Sequence, residues 1–222
     1  MMNKIRLRLG IWMGLLLTVF ASGTVLAQNE EAAKSILDKA SSTMSAYSDL
    51  SMDFDYVLDN KAEDVKQEMS GDVILKGDKY VVNLFGSTQI YDGSKTYTII
   101  PENEEVNISD SDLDEENTFT PSKFYSFYKN GYTYSMGDLK QINGKSIQFI
   151  ELTPIDTDSE IANVIVGIDT KTNHIYQVIE IGVNETRTIL TAKNIRTNQQ
   201  INGSVFTFDQ KKYEELNYMI NN

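Results

Sequence analysis

Ser51-Met52-Asp53-Phe54-Asp55-Tyr56-Val57-Leu58-Asp59 is the stretch on which the fold turns. Met52, Phe54, Tyr56 and Leu58 alternate with Ser51, Asp53, Asp55, Val57 and Asp59. A period of two is the signature of a strand with one dry and one wet face. Downstream, Met69, Val73 and Leu75 repeat the pattern against Glu68, Ser70, Asp72 and Lys76, with Gly71 read as a bend. Tyr80, Val82 and Leu84 form a third strand. Asp92-Gly93 then marks a tight turn before Tyr97 and Ile99, and Val106 and Ile108 end that run.

Asn143-Gly144 signals another hairpin, leading into Ile147, Phe149 and Ile150. Further strands are expected over 162–168, 174–182 and 186–196, and Phe206 and Phe208 sit in a last candidate. The total is about ten short strands joined by short turns, which makes the sheet antiparallel. A long antiparallel sheet with one dry face must curl, close or be covered.

Helical spacing supplies the cover. Ala33, Ile36, Leu37, Ala40, Met44 and Tyr47 recur on one face of residues 29–47, with Glu30 and Glu31 in the first turn. Thr120-Pro121 is a helix start, with Phe124, Phe127 and Tyr128 on one face and Asn130-Gly131 as the stop. Tyr213 to Ile220 reads as a terminal helix.

The N-terminus carries the pattern of a secretory signal. Lys4, Arg6 and Arg8 precede the apolar run Leu9 to Phe20, which is too short to span a bilayer. Val25 and Ala27 then occupy the −3 and −1 positions of a cleavage site before Gln28. The expected organisation is a signal peptide over 1–27 and one domain over 28–222. The sequence carries a net charge of −12, and losing the leader makes it three charges more negative. No basic patch remains to hold phosphates, so nucleic acid is not an expected partner. There is no cysteine, which removes disulfides, thiolate nucleophiles, Cys–zinc sites and lipid attachment after the signal.

No catalytic constellation emerges from the sequence. His174 is the only histidine and falls in the polar turn Thr172-Asn173-His174, where a solvent-exposed role is expected. The acidic stretch Asp110 to Glu116 begins like a calcium loop. It then places Glu115 and Pro121 where an EF-hand needs glycine and glutamate. Gly71, Gly77, Gly86 and Gly93 are scattered among turns and form no phosphate loop. The reading is a protein that is not an enzyme and uses no cofactor or metal.

The segments Glu68-Met69-Ser70-Gly71-Asp72-Val73-Ile74-Leu75-Lys76, Lys79-Tyr80 and Tyr91-Asp92-Gly93-Ser94-Lys95-Thr96-Tyr97 together resemble the core of the LolA family of lipoprotein carriers. The preceding helix, the turn Asp169-Thr170-Lys171-Thr172-Asn173 and the closing Phe206-Thr207-Phe208 match in position. The resemblance implies an α+β fold: an open, strongly curved (incomplete-barrel) antiparallel sheet whose concave apolar face is covered by helices. It also implies a periplasmic carrier that binds the acyl chains of lipoproteins. Its partners would be an inner-membrane release complex and an outer-membrane acceptor, and it would act as a monomer. A lipid- or lipoprotein-sensing module on the same fold is the alternative. Two departures stand out. Gly77 and Asp78 occupy places where the family often has arginine and proline, the arginine latching the lid. Asp209-Gln210-Lys211-Lys212 follows the final aromatic pair where the family usually has proline and glycine.

Alternation and position assign an acyl-chain cavity to Met52, Phe54, Tyr56, Val73, Leu75 and Tyr80. The same reading adds Val82, Leu84, Tyr97, Ile99, Phe149 and Phe206. Ile36, Leu37, Met44, Phe124 and Phe127 would form the lid over it.

Overall fold

A computed structural model describes residues 21–110 and 125–221. A long helix, α1 (Ala21–Ser45), leads into a single twelve-stranded sheet. The first six strands are β1 (Leu50–Asn60), β2 (Val65–Lys76), β3 (Lys79–Leu84), β4 (Ser87–Tyr91), β5 (Lys95–Ile100) and β6 (Glu105–Asp110). The next five are β7 (Tyr132–Ile142), β8 (Lys145–Pro154), β9 (Ile161–Asp169), β10 (Ile175–Gly182) and β11 (Arg187–Thr197). A short helix, α2 (Gln210–Glu215), precedes β12 (Met219–Asn221). The strand order is β12-β6-β5-β4-β3-β2-β1-β11-β10-β9-β8-β7, and the two end strands do not pair with each other, so the sheet is open.

All neighbours are antiparallel except β12, which runs parallel to β6. Hairpins account for this, because short turns return the chain beside itself. The Asn143-Gly144 turn has φ of 51° and 76°, the left-handed pair that a two-residue hairpin requires. β1 is the hinge of the arrangement, flanked by β2 and by β11, which arrives from far along the chain. Four register shifts interrupt the ladders: opposite Met52 in β11, at Tyr176 in β10, at Ala162 in β9 and at Gly137-Asp138 in β7. Bulges bend a strand and increase its twist, which curves the sheet.

Several sequence expectations are corrected. α1 is already helical at Ala21, ahead of residue 29 where the spacing placed its start, and no proline interrupts the run from Ala21 to Gln28. Phe206 closes a 3-10 turn, Gly203–Phe206, and is not in a strand; the Asn202 side chain accepts from the Ser204 N–H and starts that turn. The expected terminal helix stops at Glu215, and Asn217 takes the left-handed φ of 62° that lets the chain turn into β12. β4 was not anticipated, since Ser87-Thr88-Gln89 shows no apolar alternation. The acidic stretch from residue 111 to 116 lies outside the described residues.

Asp49 joins the two ends of this architecture. It is buried just ahead of β1, and its carboxylate accepts from the backbone N–H groups of Gln199 (2.7 Å), Gln200 (3.1 Å) and Ile201 (3.4 Å). The Ser48 hydroxyl adds a fourth donor at 3.1 Å. These residues start the C-terminal segment, so Asp49 fixes where that segment leaves the sheet. Burial by itself would raise the Asp49 pKa, but the converging donors hold it below the ordinary carboxylate value. A depressed pKa gives stability that is present above the unfolded value near pH 3.9 and lost as pH falls through the folded value. The melting advantage of the natural protein over Asp49→Asn should therefore be constant near neutrality and shrink below about pH 4. An advantage independent of pH would show that the charge is not what the donors bind.

Gly71 is a seat rather than a bend. It lies directly opposite Phe54 in the β1–β2 ladder. A Cβ there would fall 2.6 Å from the Phe54 ring and 2.5 Å from the Asn83 carbonyl oxygen. Only glycine lets the ring lie flat across β2, an aromatic covering a cross-strand glycine. Gly71→Val is expected to destabilise the protein by about 1–3 kcal/mol, read as a lower urea midpoint with unchanged m-value.

Candidate functional site

The two faces of the sheet are buried by different parts of the chain. On the inner face, α1 presents Ala33, Leu37, Ala40 and Met44, all 2 % exposed or less. Their spacing makes one stripe, and the two alanines let the helix approach closely. Beneath them lie Leu50, Met52 and Phe54 of β1, Val73 and Leu75 of β2, and Tyr80 and Tyr91 of β3 and β4. From the other half come Ile150 and Leu152 of β8, and Val164, Val166 and Ile168 of β9.

The helix covers this face unevenly. Tyr56, Val82, Leu84, Val178 and Leu190 touch the same cluster but are only partly buried. Phe85, in the β3–β4 turn, is 60 % exposed and sets its ring edge-on to Tyr56 with centroids 5.2 Å apart. Beneath the C-terminal end of α1 is a cavity of about 210 Å³, lined by Met44, Tyr47, Leu50, Leu75, Asp78 and Tyr125 among others. That volume lies below the range usual for ligand pockets, about 300–1,000 Å³.

On the outer face, a second cluster joins Val81, Ile90, Ile99, Val106 and Phe206. The C-terminal segment covers it with an aromatic chain. Tyr97 stacks on Phe208 at 4.6 Å, Phe208 on Tyr213 at 5.3 Å, and Tyr213 meets Tyr218 edge-on at 5.2 Å. A third cluster, Ile147, Phe149 and Tyr176, lies on the outer face of the other half. Phe149 rests there over Gly167, whose missing side chain makes the room.

The structure thus brings together eight of the residues assigned to the cavity: Met52, Phe54, Tyr56, Val73, Leu75, Tyr80, Val82 and Leu84. Of the assigned lid residues, Leu37, Met44, Ile36 and Phe127 pack on that group, and Phe124 lies outside the described residues. Tyr97, Ile99 and Phe206 fall in the second cluster and Phe149 in the third. The pairing dictates this: Tyr80 faces Tyr91 and Tyr91 faces Thr96, so Tyr97 and Ile99 alternate onto the opposite face. Sequence reasoning passed over Tyr91, Ile150, Leu152, Val164 and Val166, inner-face residues that show up only once the hairpins are in register.

Polar pins hold the cover in place. Tyr128 donates to Asp38 of α1 at 2.9 Å, and Tyr134 of β7 donates to the Tyr128 carbonyl at 2.6 Å. Burial, with Asp38 beside it, pushes the Tyr128 phenol up to about 12. Burial would raise the Asp38 pKa, but its bonds from Lys34 and Tyr128 hold it below the usual carboxylate range. At the other end of the helix, Tyr47 Oη lies 2.8 Å from His174 Nε2. His174 is therefore half-buried against α1, not the solvent-exposed turn residue expected, because the β9–β10 turn folds up to meet the helix end. Among the described residues no group of three or more His, Cys, Asp or Glu could hold a metal ion. No helix among them is long and apolar enough to cross a membrane.

The inner apolar face of an open antiparallel sheet is thus covered by the chain's own helix. Residues 23–186 match the family described as outer membrane lipoprotein carrier protein LolA, and the chain belongs to that family. No curated protein matches it significantly. Among solved structures, an uncharacterized conserved protein from Thermus thermophilus shares the fold at 7 % identity and a TM-score of 0.53. That match covers 85 % of this chain and 98 % of the other. Lipoprotein LppX of Mycobacterium tuberculosis matches at 14 % identity and a TM-score of 0.48, over 78 % and 98 % of the two chains. A LolA superfamily protein from Nitrosomonas europaea matches at 13 % and 0.40, over 80 % and 98 %.

The pin at His174 has a measurable consequence. Burial, aided by Lys145 and opposed by Asp169, holds the imidazole below its ordinary pKa. A histidine with a depressed folded pKa gives stability present above the unfolded value near 6.5 and lost as pH falls through the folded value. On acidification below about pH 6.5 the natural protein should lose thermal stability relative to His174→Gln. A constant difference between the two proteins across that range would contradict the assignment.

Proposed function

We propose that this chain is a periplasmic carrier that takes up the acyl chains of lipoproteins and ferries them from the inner to the outer membrane. Residues 1–27 serve as the cleaved signal, and residues 28–222 form the working domain, a monomer without catalytic activity or cofactor. It receives cargo from an inner-membrane release complex and passes it to an outer-membrane acceptor.

The observation that carries this reading is a continuous apolar inner face plugged by α1 and fastened to it by a few tyrosine hydrogen bonds. Burying a methylene group is worth about 0.8 kcal/mol, so one 16-carbon chain left in water costs on the order of 12 kcal/mol. A carrier must hide that surface and still release it. Displacing α1 re-exposes Leu37 and Met44 together with the face beneath them, which offsets part of the gain from the ligand. Net affinity is thereby held in a range where hand-over is possible. Met44, Met52, Met69 and Met136 lie on or beside this face, and flexible thioethers suit a lining that must repack.

The test is mass spectrometry of organic extracts of the mature protein, paired with binding of a triacylated peptide. Leu84 is half-buried on the inner face away from α1, so Leu84→Glu places a charge on the proposed acyl path without opening the deepest core. It should retain the fold and lose triacylated-peptide affinity by about tenfold or more. Leu216→Glu, at an exposed position after α2, should bind as the natural protein does. A protein that carries no lipid and refuses the triacylated peptide would sink the carrier reading.

A further inference from the structure

β7 ends the sheet, and nothing among the described residues hydrogen-bonds to its outer backbone edge. It is eleven residues long, roughly 35 Å of strand, whereas the other end strand, β12, has three. Long free edges are hazardous, because alternate N–H and C=O groups offer a template to any extended chain. Elsewhere this molecule covers such groups: β12 caps β6, and Asn221 donates to Glu105 and Asn107 to hold it there. Among the described residues the edge of β7 has no such cap.

Its position relates it to the inner face. Tyr132, Tyr134 and Met136 point into the α1 cluster, while Thr133 and Ser135 are exposed on the outer side. α1 packs against β7 more than against any other strand. A ligand that displaces α1 and enters the inner face therefore passes beside this edge. Further along, the bulge at Gly137-Asp138 leaves residues 137–141 exposed. A recess of about 490 Å³ opens there on the outer face, lined by Gly137, Ile142, Phe149 and Ile165 among others.

We propose that the edge of β7 accepts, as an added strand, the extended polypeptide segment next to the acylated end of the cargo. This rests on the carrier reading and extends it from the lipid to the protein part of the ligand. The chemistry is main-chain pairing, N–H to C=O along the edge, with alternate side chains of the added strand resting against the outer recess. Such pairing asks for an extended backbone and little else, so one carrier can serve proteins of unrelated sequence. It also aligns the cargo's polypeptide along the rim while its acyl chains lie under α1.

The experiment uses the full mature chain and four probes. These are a triacylated ten-residue peptide, the same peptide N-methylated at every second residue in either of the two registers, and the triacylated cysteine alone. N-methylation removes donors without touching the lipid. One methylated register should lose about tenfold or more in affinity and the other should bind like the parent, because only one set of N–H groups faces β7. Hydrogen exchange should show β7 amides protected by the parent peptide and unprotected by the acylated cysteine alone. If both methylated peptides and the acylated cysteine bind like the parent, the edge plays no part and this inference falls while the carrier reading stands. Failure of all four probes to bind overturns both. Protection of β7 amides that grows with protein concentration and without peptide assigns the edge to a second copy of the chain, and overturns the inference as well.

Discussion

The contact between the α1 stripe and the inner sheet face is the constraint on which the rest depends. Ala33, Leu37, Ala40 and Met44 close over strands from both halves of the sheet at once. Without that cover, β1 to β3 and β8 to β10 would present one continuous apolar surface to water. The two halves are joined through the β1–β11 ladder, whose outer side is held by charges: Lys193 pairs with Asp55 and Arg196 with Asp53. Those pairs are partly exposed and contribute little stability. The hydrophobic contact across the inner face is what keeps the halves at one curvature.

The chain covers its two apolar faces by different means, and the difference fits a division between permanent and removable. The outer cover is interlocked. Buried Asp49 gathers three backbone donors at its start, Lys76 reaches the Ile201 carbonyl, a stack of aromatics runs through Tyr97, Phe208 and Tyr213, and β12 joins the sheet. Among the described residues the inner cover is α1 with the short turn Phe127–Lys129 beside it, and no strand joins them to the sheet. It is fixed by van der Waals contact and by the bonds of Tyr128 to Asp38 and Tyr47 to His174. A net hydrogen bond is worth about 1 kcal/mol, so such pins set the position of a helix without making its displacement prohibitive. Asp78 lines the cavity at the α1 C-terminus and makes no ion pair among the described residues.

The strand pattern was legible where one face of the sheet meets water. Met52, Phe54 and Tyr56 alternate with Asp53 and Asp55 because only their side is covered, and β1 and β2 are the strands that the alternation marked. The pattern fails where both faces are dry. In β3 Tyr80 and Val82 turn inward while Val81 turns outward under the C-terminal segment, so apolarity no longer identifies a face. That ambiguity led Tyr97 and Ile99 to be grouped with Tyr80, and only the β4 register separates them. Phe149 follows the same logic, since β8 is apolar on both sides and only the β8–β9 register, which sets Phe149 opposite Gly167, places its ring. The role of Gly71 was hidden for a related reason: a cross-strand glycine can be recognised only when its partner, Phe54, is known. His174 was misplaced because its partner, Tyr47, is distant in sequence.

Two-sided burial also bears on how the sheet stays open. A sheet that curls around an apolar face gains most by closing, since closure removes both edges. Here closure would bring β12 and β7 together, and each end is shaped against it. β12 is three residues long and parallel to its neighbour, so it offers few groups to a partner. β7 is broken by its bulge, and its exposed Asp138 and Lys140 pair with each other along the strand. Charges and bulges at an edge disfavour strand pairing, and in β7 they fall beyond the regular stretch Tyr132–Met136. An open sheet leaves its inner face reachable from the side once α1 moves, whereas a closed barrel of the same strands would admit a ligand only through its ends. On the carrier reading proposed above, the open edge keeps a lateral path to the apolar face and α1 covers that path between loads.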